Sequence, residues 1–407
     1  MTNTDRVMQA FPPDKQQQVT LANWRNTPYS RWAFHHVREI IPSADICNQP
    51  DSIWSLEEQL VNLGGLSIEF SDKTVMSLAG YISHAHIDAM IVLHRDRIVF
   101  EQYLNGMTRY QQHILMSVSK SVLGMVAGIL HHQGKLSVDQ PATTYVPELE
   151  TTAYKNTSVR NLLDMRAGVD FNEDYLATDG AIIDYRKATG WNPLSDSEAP
   201  GDLRSFYQKL TDKKGEDGGP FSYVSPNTDL LAWVIERACK QPYAEVLSQY
   251  LWQPLGAESN AYITVDRLGA PRAAGGVCTT LRDLARIGRL LANDGVRENR
   301  QMLPKGWCAD LVSLSDKDAW RQGDFAEKIP GRTMSYRDKW YICHPGPEDK
   351  AQWYMAIGIH GQNIYVDAKN ELVMVKFASD PEPLNPNASA NGITAARAIR
   401  DYLVNHF

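Results

Sequence analysis

Ser117-Val118-Ser119-Lys120 sets a hydroxyl and a primary amine three positions apart. On a helix, positions i and i+3 share a face, so the lysine amine can stand beside the serine hydroxyl. A serine hydroxyl is a poor nucleophile until a base takes its proton. A desolvated lysine with a depressed pKa can be that base. Roughly one or two matches to this spacing are expected by chance in a chain of this length, so the pattern alone is weak. Ser117 is nevertheless the only serine followed by lysine at that distance. It also opens a helical pattern, where free N–H groups favour a developing oxyanion. A plain helix N-cap is the alternative use of the same serine.

Two further clusters could complete such a centre. In FSYVSPNTDLLAWVIE, Tyr223, Ser225 and Asn227 precede an apolar helix. An N-cap explains Ser225 or Asn227; it leaves the tyrosine unexplained, and a phenol beside an amine can shuttle a proton between nucleophile and leaving group. In MAIGIHGQNIYVD, Gly358 and Gly361 bracket Ile359-His360 at the head of a strand, where absent side chains let a ligand reach the backbone.

Elements must hold these clusters together. Residues 89–104 carry two β-rich runs about the polar His94-Arg95-Asp96, an expected hairpin. A second is expected at 363–379. Helices are expected at 118–132, stopped by Gly134, from near Thr228, and from near Leu281. A closing amphipathic helix carries Ile393, Ala396, Ile399 and Leu403. Residues 168–220 read as a long acidic loop rich in Gly, Pro and Asp, suited to a lid or binding role. Its Tyr175, Tyr185, Trp191 and Phe206 offer apolar faces to an acyl chain. Strands at both ends around a helical middle predict an α/β plus α fold: an antiparallel sheet flanked by helices, with an inserted, mostly helical domain. The expected division is an N-terminal extension at 1–60, a discontinuous sheet domain at 61–114 and 276–407, and a helical domain at 115–275.

Composition narrows the function classes. The 407 residues are 43% apolar and 22% charged, with net charge −7. No excess of Lys and Arg exists to neutralise phosphates, which disfavours a nucleic-acid binder. No segment has signal-peptide or membrane-spanning character. Five widely spaced cysteines without a CxxC pair read as reduced thiols in a cytoplasmic protein. His84-Ala85-His86-Ile87-Asp88 matches most of a HxHxDH zinc signature, but Ala89 stands where the last histidine belongs. Residues 128–135 imitate a phosphate-binding loop with the wrong spacing, and there is no GxSxG elbow.

The three clusters, in this order and spacing, resemble the serine β-lactamase and penicillin-recognising family. Within it, they are similar to the 6-aminohexanoate-dimer (nylon oligomer) hydrolase and class C-like carboxylesterase branch. The resemblance extends to LANWRNTPYSRWAFHHVREIIPSADI and APRAAGGVCTTLRDLARIGRLL, and so covers most of the chain. It implies a serine β-lactamase-like fold, Ser117 as nucleophile, Lys120 as its base and Tyr223 as proton shuttle. The oxyanion hole would be the backbone N–H groups of Ser117 and Ile359. Tyr175, Trp191, Ser225, Asn227, Cys278 and His360 would line the substrate pocket. No cofactor or metal is implied, and the partner would be a small ester or amide. Two departures stand out: Ser225 replaces an expected asparagine, and Ala356-Ile357-Gly358 replaces Lys-Thr-Gly. The rival classes are an esterase without amidase action, a β-lactamase or D-peptidase-type amidase, a zinc hydrolase, and a non-catalytic binding protein.

Overall fold

The computed structural model describes residues 7–329, 331–347 and 349–407, the side chains of 386, 387 and 389 apart. The first six residues of the expected N-terminal extension lie outside the described residues. The two expected hairpins are present and adjoin. Ile87–His94 and Arg97–Tyr103 turn through Arg95-Asp96, both at positive φ (50° and 65°). Gln362–Asp367 and Leu372–Ala378 form the second. Leu372–Ala378 pairs antiparallel with Ile87–His94, Met374 opposite Val92, so the two ends of the sequence meet in the middle of one sheet. That sheet has eight strands. Met334–Arg337, Trp340–Cys343 and Trp353–Gly358 extend one side; Arg97–Tyr103 and a short parallel strand, Glu57–Glu58, extend the other.

Both faces of the sheet are covered, and side-chain alternation decides which residue meets which layer. Ala89, Ile91, Leu93, Val373 and Val375 face a core shared with the helices Leu281–Ala292 and Val118–His132. Met90, Val92 and Met374 face the C-terminal helix Pro386–His406 through Ile393, Ala396, Ile399 and Leu403. Leu284, Ile287, Leu290 and Leu291 of the Leu281–Ala292 helix are fully buried. Each contributes about 1.5–3 kcal/mol of transfer free energy.

The Val118–His132 helix is buried nearly all round, as an apolar run without a polar face must be. Its Gly124 lets it approach the Asp338-Lys339 turn, where a Cβ would stand 2.0 Å from the Asp338 carbonyl oxygen. The helix expected near Thr228 begins two residues earlier, as Pro226–Cys239, with proline at its first position.

Two expectations need correction. The 168–220 segment is not an open loop: it contains the helices Ala181–Ala188 and Leu203–Phe206. Tyr185 and Phe206 are core residues packed on Phe171 and each other. A second, four-stranded sheet also appears, joining Ser43–Ile46, Ala261–Thr264, Val277–Thr279 and His113–Ile114. It stitches the N-terminal segment to the turn that carries Ser117.

Candidate active site

Ser117 sits at the N-cap position of the Val118–His132 helix, yet its side chain caps nothing. Its Oγ instead receives the Lys120 amine at 2.9 Å. The preceding Met116 is buried at φ +45°, a left-handed conformation costly for a non-glycine residue and held by surrounding structure. The Ser117 N–H meets no acceptor among the described residues. Gly358 closes the other side of this turn: a Cβ there would lie 2.8 Å from the Leu115 oxygen and 3.1 Å from the Ser117 nitrogen. The end of the strand Trp353–Gly358, and Ile359 after it, can therefore approach the serine only because position 358 lacks a side chain.

Lys120 is 1% exposed and makes a second bond, Nζ to the Ala274 carbonyl, at 2.7 Å. Burial brings its amine down from an ordinary 10.5 to about 7; Glu173 and Asp229 oppose the shift and Arg272 reinforces it. Tyr223 stands over the amine, with Nζ 4.9 Å from its ring centroid. Its phenol interacts with the Ser117 and Tyr341 hydroxyls, while burial and the Glu173 charge hold it protonated well above its ordinary range. Phe325 stacks on its ring at 4.7 Å. The structure brings Ser117, Lys120 and Tyr223 into one contact group.

A supporting layer escapes sequence reasoning. Asp229, in the first turn of the Pro226–Cys239 helix, accepts Arg272 Nη1 at 2.5 Å and the Ala274 N–H at 2.6 Å. It thereby fixes the carbonyl that holds Lys120. Glu173 accepts from the backbone N–H and hydroxyl of Ser225 and from the Tyr175 hydroxyl. Ser225, like Ser117, is thus an N-cap residue whose side chain is engaged elsewhere. The only sequence signal for Asp229 is an acidic residue in a first helical turn, which the helix dipole already explains. Asp229→Ala is expected to cost about 3–5 kcal/mol of stability, because it strands the buried Arg272 charge. Urea unfolding checks it, and a loss below 1 kcal/mol would separate the pair from the fold's stability.

Two cavities meet at Ser117. The larger is walled by Phe325, Ile329, Ile357 and Leu384, with Tyr223 and Tyr341. The smaller is walled by Arg25, Arg186, Arg272, Glu173 and Trp191, with Ser225. Tyr175 and Ile359 border both.

Three expected pocket residues stand elsewhere. Asn227 is buried against the Tyr154 hydroxyl, turned off the cleft by its helix. Cys278 lies in the four-stranded sheet beneath Trp24 and Phe34, its thiol pushed up to about 12 by burial. His360 is buried on Phe34, and its Nδ1 meets the Asp380 carbonyl oxygen at 2.7 Å, so it braces the turn after Gly358. Trp191 borders the second cavity but is mostly core, stacked edge-on against Trp24. The His84–Asp88 run is split: His84 and His86 are exposed, whereas Asp88 is buried with Asn105, Ser379 and His113. Among the described residues, no three His, Cys, Asp or Glu side chains are grouped to hold a metal ion, and no helix is long and apolar enough to cross a membrane.

The beta-lactamase family model matches residues 83–398. The chain is 35% identical over 374 residues to a 6-aminohexanoate-dimer hydrolase of Paenarthrobacter ureafaciens, covering 92% of this chain and 91% of that one. Among solved structures, it superposes with a TM-score of 0.85 on a Bacillus anthracis protein assigned to the 6-aminohexanoate-dimer hydrolases. That match is at 26% identity and covers 97% of this chain and 99% of that one. A β-lactamase/D-alanine carboxypeptidase of Pseudomonas syringae shares the fold at a TM-score of 0.56 and 16% identity, covering 79% of this chain and 96% of that one. The chain therefore belongs to the beta-lactamase family and is a hydrolase of that fold.

Proposed function

We propose that this protein cleaves carboxylic esters and small linear amides through an acyl-enzyme on Ser117. The observation that carries the reading is the 2.9 Å contact between the Ser117 hydroxyl and a buried amine, whose burial favours the neutral form. In the neutral amine the hydrogen bond reverses, and the serine proton moves to Nζ as Oγ attacks the substrate carbonyl. The N–H groups of Ser117 and Ile359 receive the developing oxyanion. Tyr223, protonated and beside Ser117, passes a proton to the departing oxygen or nitrogen and regains one from the lysine. Water then attacks the acyl-enzyme by the same route in reverse, releasing the acid and restoring Ser117.

An alkoxide or phenolate leaves with little help, whereas an amine needs its proton as the C–N bond breaks. Tyr223→Phe is therefore expected to depress amide turnover by about a hundredfold, and ester turnover by much less. Parallel kcat/KM measurements on an anilide and a p-nitrophenyl ester check this; equal losses would remove Tyr223 from the acid role.

Penicillins should be poor substrates. The strand that would carry a cationic arm has Ala356, fully buried, in its place. We expect kcat/KM to favour p-nitrophenyl butyrate over nitrocefin, and the opposite order would return the protein to the true β-lactamases. The five cysteines are all unpaired, which supports a reducing compartment, the cytoplasm.

A further inference from the structure

The smaller cavity carries charge that this chemistry does not use. Arg25, Arg186 and Arg272 all line it. Arg272 is paired with Asp229. Among the described residues Arg186 donates only to the Tyr175 carbonyl oxygen, at 3.2 Å, and Arg25 donates to the Asn192 side-chain amide oxygen. Among the described residues neither has a carboxylate within ion-pair distance. The buried Nε atoms of Arg25 and Arg272 have no acceptor among the described residues. The facing acids are already engaged: Glu173 by Ser225 and Tyr175, and Asp229 by Arg272 and Ala274. Asp174 is exposed and acts on Arg186 through space. Three guanidiniums therefore face two committed carboxylates. Burial and the neighbouring Arg186 and Arg272 charges bring Arg25 down to about 9, the mark of a cation short of a counter-ion.

Guanidinium forks match a carboxylate in plane and spacing. From these residues we infer that the arginine-lined cavity is a subsite for a carboxylate at the far end of the substrate's acyl chain. The inference rests on the serine-hydrolase reading for its orientation only. The acid that protonates the leaving atom must lie beside it, and Tyr223 borders the large apolar cavity. The leaving alcohol or amine therefore occupies that cavity, and the acyl chain extends the other way from Ser117. The substrate class is a half-ester or half-amide of a short dicarboxylic acid.

Three p-nitrophenyl esters of similar chain length test this: the glutarate half-ester, the pentanoate and the 5-aminopentanoate. The half-ester should exceed the pentanoate in kcat/KM at least tenfold, with the aminopentanoate lowest. Arg186→Gln should abolish the half-ester's advantage, and Arg186→Lys should keep part of it. Calorimetry should show glutarate binding to the unmodified protein and not to the Arg25→Gln/Arg186→Gln variant, whose melting curve reports folding. If that variant does not fold, the ester series on unmodified protein still decides. Equal rates, or preference for the aminopentanoate, overturn the subsite and leave the hydrolase standing. Glutarate binding without turnover of any ester keeps the subsite and overturns the hydrolase. Neither binding nor turnover overturns both.

Discussion

Ser117→Ala should reduce ester turnover by roughly a thousandfold or more, the loss typical of a deleted nucleophile whose partners cannot substitute for it. It should also abolish covalent labelling by a fluorophosphonate. The variant should fold. Ser117 occupies the N-cap position but makes no cap bond, so the usual cost of about 1 kcal/mol for a lost cap does not apply. Lys120 keeps the Ala274 carbonyl as a partner. Mass spectrometry of the labelled wild-type protein should place the adduct on the peptide containing Ser117. Labelling or normal turnover in the alanine variant would remove Ser117 from the mechanism.

Lys120→Arg should be nearly as damaging, although it preserves positive charge. A guanidinium stays protonated at any working pH and cannot accept the serine proton. The same logic sets the pH profile of the native enzyme. Since the amine titrates at about 7, kcat/KM should fall as pH drops below that value and level off above it. An arginine variant with native rates, or a flat profile between pH 5 and 9, would exclude the lysine as base. The depressed amine carries a stability consequence too. Between about 7 and 10.5 the unfolded chain binds more protons at this site than the folded one, so stability rises with pH across that window. The burial penalty is largest below 7. Lys120→Met should thus be inactive but more stable, with a greater gain in melting temperature at pH 6 than at pH 9. Such a trade between stability and function is common at buried catalytic positions.

Much of the fold was legible because its signals are local. The hairpins announce themselves by alternation about a polar turn, and the Leu281–Ala292 helix by its apolar spacing. The Ser117–Lys120 pair needs only one helical turn to assemble. Tyr223 was legible as a residue that capping left unexplained, though its contact with Ser117 joins positions 106 apart in sequence.

The resemblance implied pocket positions for Asn227 and Cys278, and the fold sets both side chains in the core. Asn227 lies four residues after Tyr223, yet the helix beginning at Pro226 turns it toward Tyr154 and the core. Cys278 lies next to the Gly275-Gly276 turn, yet strand alternation points its thiol under Trp24 and Phe34. Tyr185 and Phe206 belong to a segment that composition marks as loop; their aromatic rings instead pack together in the core.

Residue types at short spacing determined that a serine hydroxyl and a lysine amine would meet at Ser117 and Lys120, because a helical turn is built by backbone geometry alone. Tertiary structure decided everything that tunes them. The Ala274 carbonyl reaches Lys120 across 154 residues, and Asp229 reaches Arg272 across 43. Arg25 arrives from the N-terminal segment to stand beside Arg186 and Arg272. Burial, the main cause of the lysine amine's fall to about 7, belongs to no residue singly. It is set by how completely the surrounding helices and sheet exclude water, and only the folded chain specifies that.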